Sequence, residues 1–122
     1  GDQGFPGTVA ITARWSLEAP MTLRLDVTAT TDRPTVLNIA HHGYWNLSGE
    51  GAGDVRAHEL AIAAGRYLPV DAALIPTGAV APVAGTPFDF RAPMPVGARL
   101  AGRYDHCWAL DGTGGPACTL HD

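Results

Sequence analysis

The strongest constraint on this chain is a strict alternation of side chains over two neighbouring runs. In the first, Val9, Ile11, Ala13, Trp15 and Leu17 fall on one side, while Ala10, Thr12, Arg14 and Ser16 fall on the other. In the second, Met21, Leu23, Leu25, Val27 and Ala29 alternate with Thr22, Arg24, Asp26, Thr28 and Thr30. A period of two belongs to a half-buried strand; a helix would scatter these apolar residues around its circumference. Glu18-Ala19-Pro20 separates the runs and predicts an antiparallel hairpin with one apolar face. A lone hairpin is not stable in water, so that face calls for a second layer, where each large apolar side chain buried contributes roughly 1.5–3 kcal/mol.

Glycine and proline extend the argument to the rest of the chain. The 15 glycines and 10 prolines among 122 residues interrupt nearly every stretch long enough for a helix, which points to an all-β chain. With 46% apolar and 16% charged residues there is material for a core, and disorder is excluded as the default. The formal charge of −4, without a basic cluster, argues against a nucleic-acid partner. No apolar run reaches the roughly 18 residues of a membrane span, and the first residues have neither a basic nor a hydrophobic leader region. The expectation is a cytoplasmic protein with no membrane partner, or one whose targeting segment lies outside these residues. Cys107 and Cys118 are too few for a disulfide scaffold and lack CxxC spacing, so they are expected to be reduced thiols without a catalytic role.

Thr31-Asp32-Arg33-Pro34 is turn chemistry. Residues 35–42 then predict a third strand, with Leu37, Ile39 and His41 on one face and Val36, Asn38, Ala40 and His42 on the other, so the adjacent histidines point to opposite sides. Residues 46–53 are a glycine-rich loop. In residues 54–64, Asp54 and the alanines suit a short capped helix, whereas Glu59-Leu60-Ala61-Ile62 suits a strand, and the strand reading is preferred. Residues 67–95 hold six of the ten prolines among interleaved apolar residues, which predicts short strands joined by fixed turns. No internal repeat or boundary divides the chain, and residues 1–122 are read as a single domain.

Two clusters carry chemistry. The first, Asn38-Ile39-Ala40-His41-His42-Gly43-Tyr44-Trp45-Asn46-Leu47, lies where the third strand hands over to the loop. A histidine there, with an ordinary pKa of ~6.5, can give or take a proton at neutral pH, and the adjacent rings can stack on a sugar; the alternative is a pair of ordinary strand histidines. The second, Arg103-Tyr104-Asp105-His106-Cys107-Trp108, offers a carboxylate that can accept hydrogen bonds from hydroxyl groups, or else an Asp in a surface turn. The five histidines show no i, i+2 or i, i+4 pair, so a metal centre is not expected.

At these clusters the sequence resembles the aldose 1-epimerase (galactose mutarotase) family. The resemblance runs through Gly4-Phe5-Pro6-Gly7, residues 38–47, Arg66-Tyr67-Leu68-Pro69-Val70-Asp71, Ile75-Pro76-Thr77-Gly78, Gly85-Thr86-Pro87-Phe88-Asp89-Phe90 and Tyr104-Asp105-His106. It implies an antiparallel β-sandwich, galactose mutarotase-like and present here as a partial domain. It also implies interconversion of the α and β anomers of a monosaccharide such as glucose or galactose, with no cofactor and no metal. By position the family's general acid falls on His42 and its hydroxyl-binding aspartate on Asp105. His41 stands where the family usually has a small polar residue, and Trp45 and Cys107 stand where Phe and Asn are expected. No oligomeric state is read from the resemblance.

The resemblance also implies a glutamate base after the Tyr-Asp-His motif and an arginine and histidine before Gly-Phe-Pro-Gly. Glu18, Glu50 and Glu59 all precede Asp105, so none matches that base, and the 122 residues are expected to be about the middle third of a mutarotase, begun at an internal cut. Two other readings remain. One is a non-catalytic carbohydrate-binding β-sandwich. The other is an epimerase of phosphorylated hexoses, in which Arg66, Arg91, Arg99 or Arg103 would meet the phosphate.

Overall fold

A computed structural model of the chain describes residues 4–100, 102–112 and 114–122. The chain divides into two compact units, Gly1–Gly43 and Tyr44–Asp122. No helix among the described residues is long and apolar enough to cross a membrane.

The first unit is built on the expected hairpin, β1 (Val9–Glu18) and β2 (Thr22–Thr31). Its register sets Ile11 opposite Ala29, Ala13 opposite Val27, Trp15 opposite Leu25 and Leu17 opposite Leu23, so both strands contribute to a single apolar face. The other face is polar, and there Arg24 grips both carboxylate oxygens of Asp26 at 2.7 and 2.8 Å. Past the open end, the Thr8 amide donates to Asp32 Oδ1 at 2.8 Å and the Thr31 hydroxyl donates to the Arg33 carbonyl, fixing the predicted turn. Gly7 is buried under this turn, where there is no room for a side chain.

One expectation for this unit is corrected. Residues 35–42 form no strand: alternation says which side chains could share a face, but a strand also needs a backbone alongside to take its N–H and C=O groups. The hairpin's apolar face is not sealed. Trp15 and Ile11 remain about half exposed, and the face forms an open groove along which Ile39, Ala40 and His41 run.

In the second unit two antiparallel three-stranded sheets are described. One has the order β6-β3-β8, from β3 (Glu59–Ile62), β6 (Met94–Pro95) and β8 (Cys118–His121); the other is β5-β4-β7, from β4 (Arg66–Leu68), β5 (Ala81–Pro82) and β7 (Cys107–Ala109). Pro82 and Pro95 lie on the edge strands β5 and β6, where a missing N–H costs no ladder bond. The chain passes between sheets at Ala63-Ala64-Gly65, held by the Asp111 amide on the Ala63 carbonyl and by Asp111 Oδ2, which accepts from the Gly65 amide at 3.0 Å. Ala64, Val83 and Phe90 are the buried apolar residues, and His58 is buried among the polar ones.

Both alternatives for residues 54–64 occur, one after the other. Asp54 caps a single 3-10 turn, Val55–Ala57, by accepting from the Arg56 amide at 2.8 Å, and the strand follows at Glu59. Between β4 and β5, Asp71 Oδ1 accepts from the amides of Ala73 and Ile75, which bends the chain tightly enough to hold Leu74 at φ 65°. That is a left-handed conformation costing a non-glycine residue roughly 1–2 kcal/mol.

Candidate functional site

The structure places the two sequence-derived site residues in different units, His42 in the first and Asp105 in the second. His41 is turned onto the hairpin. Its ring meets Trp15 edge to face, with centroids 5.0 Å apart, on the groove wall it shares with Ile39. His42 does not line that groove and is exposed. The rings that follow it, Tyr44 and Trp45, are exposed as well.

The loop after them is ordered by its own side chains. Asn46 Nδ2 donates to the Ala52 carbonyl and its Oδ1 accepts from the Ser48 amide, both at 3.1 Å. Gly49, Gly51 and Gly53 then take positive φ values that side chains resist. The Leu47 amide donates to His58 Nε2 at 3.1 Å, tying the loop to the start of β3. Sequence reasoning treated His58 only as one of five histidines. The signal that could have singled it out is a polar ring directly before the apolar run Leu60-Ala61-Ile62.

Around Asp105 the period of two continues upstream from β7. Tyr104, His106 and Trp108 are partly buried, whereas Asp105 and Cys107 between them are exposed. The inward three join an aromatic cluster centred on Phe88, which stacks on Tyr67 at 4.4 Å and lies 4.2 Å from the His106 ring. Trp108 Nε1 donates to the Phe88 carbonyl at 3.0 Å and the Tyr104 hydroxyl donates to the Pro87 carbonyl at 3.3 Å. Burial pushes the Tyr104 phenol above its ordinary pKa, so it remains a donor. Asp105 is therefore set between two anchored neighbours, and among the described residues its carboxylate accepts no hydrogen bond.

The arginines are partly committed. Arg91 bonds both oxygens of Asp89 at 2.8 Å, which draws that carboxyl down to about 2, and Arg99 donates to the Asp89 carbonyl at 3.3 Å. Arg66 opens β4 and is exposed, as is Arg103. Cys107 and Cys118 are both free and exposed, in different sheets.

Comparison with known proteins agrees with this architecture. The whole chain, residues 1–122, matches the family model described as aldose 1-epimerase. Galactose mutarotase of Rattus norvegicus is 41% identical over 106 residues, covering 87% of this chain and 31% of its own length. Aldose 1-epimerase of Escherichia coli K12 is 39% identical over 122 residues, covering 93% of this chain and 35% of its own. The chain thus spans about a third of the length of these relatives. The crystal structure of an aldose epimerase homologue from C. elegans superposes with a TM-score of 0.87 at 28% identity, over 99% of this chain and 38% of that one. Galactose 1-epimerase from Lactobacillus acidophilus gives 0.85 at 31% identity, over 97% and 37%. The expected fold class, an all-β antiparallel sandwich of the galactose mutarotase type present in part, is the one observed. With every residue of the sequence inside the family match, the chain belongs to the aldose 1-epimerase family.

Proposed function

We propose that the full-length protein is an aldose 1-epimerase that interconverts the α and β anomers of a hexopyranose such as glucose or galactose. His42 is its general acid and Asp105 a ligand for a sugar hydroxyl. The observation that carries the reading is the state of Asp105: a carboxylate held between anchored aromatic neighbours, exposed, and accepting no hydrogen bond among the described residues. A charge-assisted bond from a sugar hydroxyl suits it.

In the reaction a base removes the proton from the anomeric hydroxyl and the C1=O bond of the aldehyde forms. The bond from C1 to the ring oxygen breaks, and its electron pair takes a proton from the His42 imidazolium. Rotation about C1–C2 presents the other face, and closure returns both protons. Each positioned proton transfer is worth ~10²–10⁴ in rate, so one acid and one base suffice without a cofactor. The family resemblance implies a glutamate base after the Tyr-Asp-His motif, and because Glu18, Glu50 and Glu59 all precede Asp105, on this reading the base lies outside these 122 residues and the chain by itself lacks activity. The two compact units are parts of one mutarotase-like domain. Two exposed, unpaired thiols fit a reducing, cytoplasmic setting.

Polarimetry of freshly dissolved α-D-glucose and α-D-galactose tests the reading, and the full-length protein is expected to accelerate the approach to anomeric equilibrium. Sugar binding by calorimetry with no acceleration would replace it with the carbohydrate-binding reading. The commitment of Arg91 and Arg99 to Asp89 gives no support to a phosphohexose substrate.

A further inference from the structure

A carboxylate that binds a hydroxyl must be aimed as well as exposed, and the backbone that carries it sets the aim. Asp105 lies just ahead of β7, beyond the last β4–β7 pair, Leu68 with Cys107. Its amide donates instead to the next side chain, His106 Nδ1, at 3.3 Å. That bond closes a small ring through the Cα atoms of both residues. It fixes ψ of Asp105 and φ of His106, and so the direction in which the Asp105 side chain leaves the chain. An accepting Nδ1 carries no proton, which puts the ring proton on Nε2.

The imidazole that accepts is itself held. Its ring lies 4.2 Å from that of Phe88 and 5.9 Å from that of Tyr67, centroid to centroid. Phe88 is fixed at its backbone, where its amide donates to the Thr86 hydroxyl oxygen at 3.1 Å and its carbonyl accepts from Trp108 Nε1. The Thr86 hydroxyl in turn donates at 2.7 Å to the carbonyl of Val83, one of the buried apolar residues. A continuous line of contacts thus runs from Val83 through Thr86, Phe88 and His106 to Asp105, all within the unit Tyr44–Asp122.

We propose that His106 is a positioning residue for sugar binding: its ring is locked by the aromatic cluster, and its Nδ1 transfers that rigidity to the Asp105 backbone and aims the carboxylate. This rests on the reading of Asp105 as a ligand for a sugar hydroxyl and adds a residue that acts through it. Asp105 holds a hydroxyl alike in the ground state and the transition state, so a loss of aim is read in KM with kcat little changed.

The test uses the full-length protein and two variants that separate packing from hydrogen bonding. His106→Phe keeps a ring for Phe88 and Tyr67 but has no acceptor, whereas His106→Asn loses the ring and places an oxygen about where Nδ1 lies. Mutarotation kinetics are read beside the unfolding midpoint, and a long-range proton–nitrogen NMR correlation of the unsubstituted protein reads which ring nitrogen is protonated. H106F is expected to raise KM roughly 3–10-fold with kcat within about threefold and a midpoint near that of the unsubstituted protein. H106N is expected to keep KM within about threefold while its midpoint falls, so that the two variants rank oppositely in affinity and in stability. The proposal is overturned if H106F keeps its KM, if H106N raises KM as much as H106F, or if the neutral ring carries its proton on Nδ1. Where H106F fails to fold, the NMR correlation and H106N decide, and a KM rise in H106N beyond about tenfold overturns the role. An unchanged KM in an Asp105→Asn variant overturns the reading of Asp105 and this role together. A raised KM in that variant beside an unchanged KM in H106F overturns this role alone.

Discussion

The His41 ring packs edge to face on Trp15, 5.0 Å between centroids, against the apolar face of the β1–β2 hairpin. An imidazole used in that way is a packing group, and the proposed chemistry is assigned to its neighbour His42. Replacing His41 with Ala is expected to remove an aromatic contact worth ~0.5–1.5 kcal/mol, to lower the unfolding midpoint, and to change kcat less than about tenfold. Denaturation and mutarotation kinetics on the same variant check both halves. A large kcat loss at unchanged stability would reverse the assignment of the two histidines.

Asp105 is expected to act through binding. Replacing it with Asn keeps the shape and removes the charge, and losing a charged acceptor of ~1.5–3 kcal/mol corresponds to a rise of roughly 10–100-fold in the KM for sugar. Initial rates across a range of sugar concentration give the value. An unchanged KM would remove Asp105 from the site.

Asp89 gives a pH signature unrelated to catalysis. Its two bonds from Arg91 hold the carboxyl at about 2, below the usual ~3.9 of a free aspartate. Because the folded value is the lower one, this pair's contribution to stability is fully present above about pH 4 and is lost as pH falls through about 2. Titration of the Asp89 carboxyl by NMR is expected to show a midpoint near that low value, moving upward in an Arg91→Ala variant. An ordinary midpoint in the unsubstituted protein contradicts the bidentate pair.

Gly7 tests the packing beneath the Asp32 turn. A Cβ there would lie 2.7 Å from the Arg33 carbonyl oxygen and 2.9 Å from Thr35 Cβ, and neither is the free end of a flexible chain. Gly7→Ala is expected to destabilise by about 1–3 kcal/mol in a denaturation midpoint comparison, the usual range for forcing extra volume into a filled space. A neutral Ala variant would mean that the turn is looser than this geometry.

The hairpin was legible in the sequence because alternation over two long runs reports both strand and facing, and its register follows from setting Leu17 against Leu23 and Trp15 against Leu25. The short strands from Tyr67 onward were legible in their proline spacing, although which strands pair depends on contacts far apart in the chain, such as Tyr67 with Trp108. Residues 35–42 misled for the complementary reason, since they alternate but no strand pairs with them among the described residues. Asp105 was singled out from its motif, as a proposal. The anchored rings on either side of it were not, because Phe88 and Pro87 reach Trp108 and Tyr104 only in three dimensions. His58 was hidden in the same way, since its partners Leu47 and Asp122 are separated from it by 11 and 64 residues in opposite directions.

The most direct test of the account is the polarimetric rate of anomer interconversion by the full-length protein at saturating sugar, with His42 intact and with His42→Ala. Loss of a positioned acid predicts a fall of ~10²–10⁴ in kcat for a variant that remains folded. A folded His42→Ala protein that keeps its kcat within about threefold would contradict the assignment of His42 as the acid.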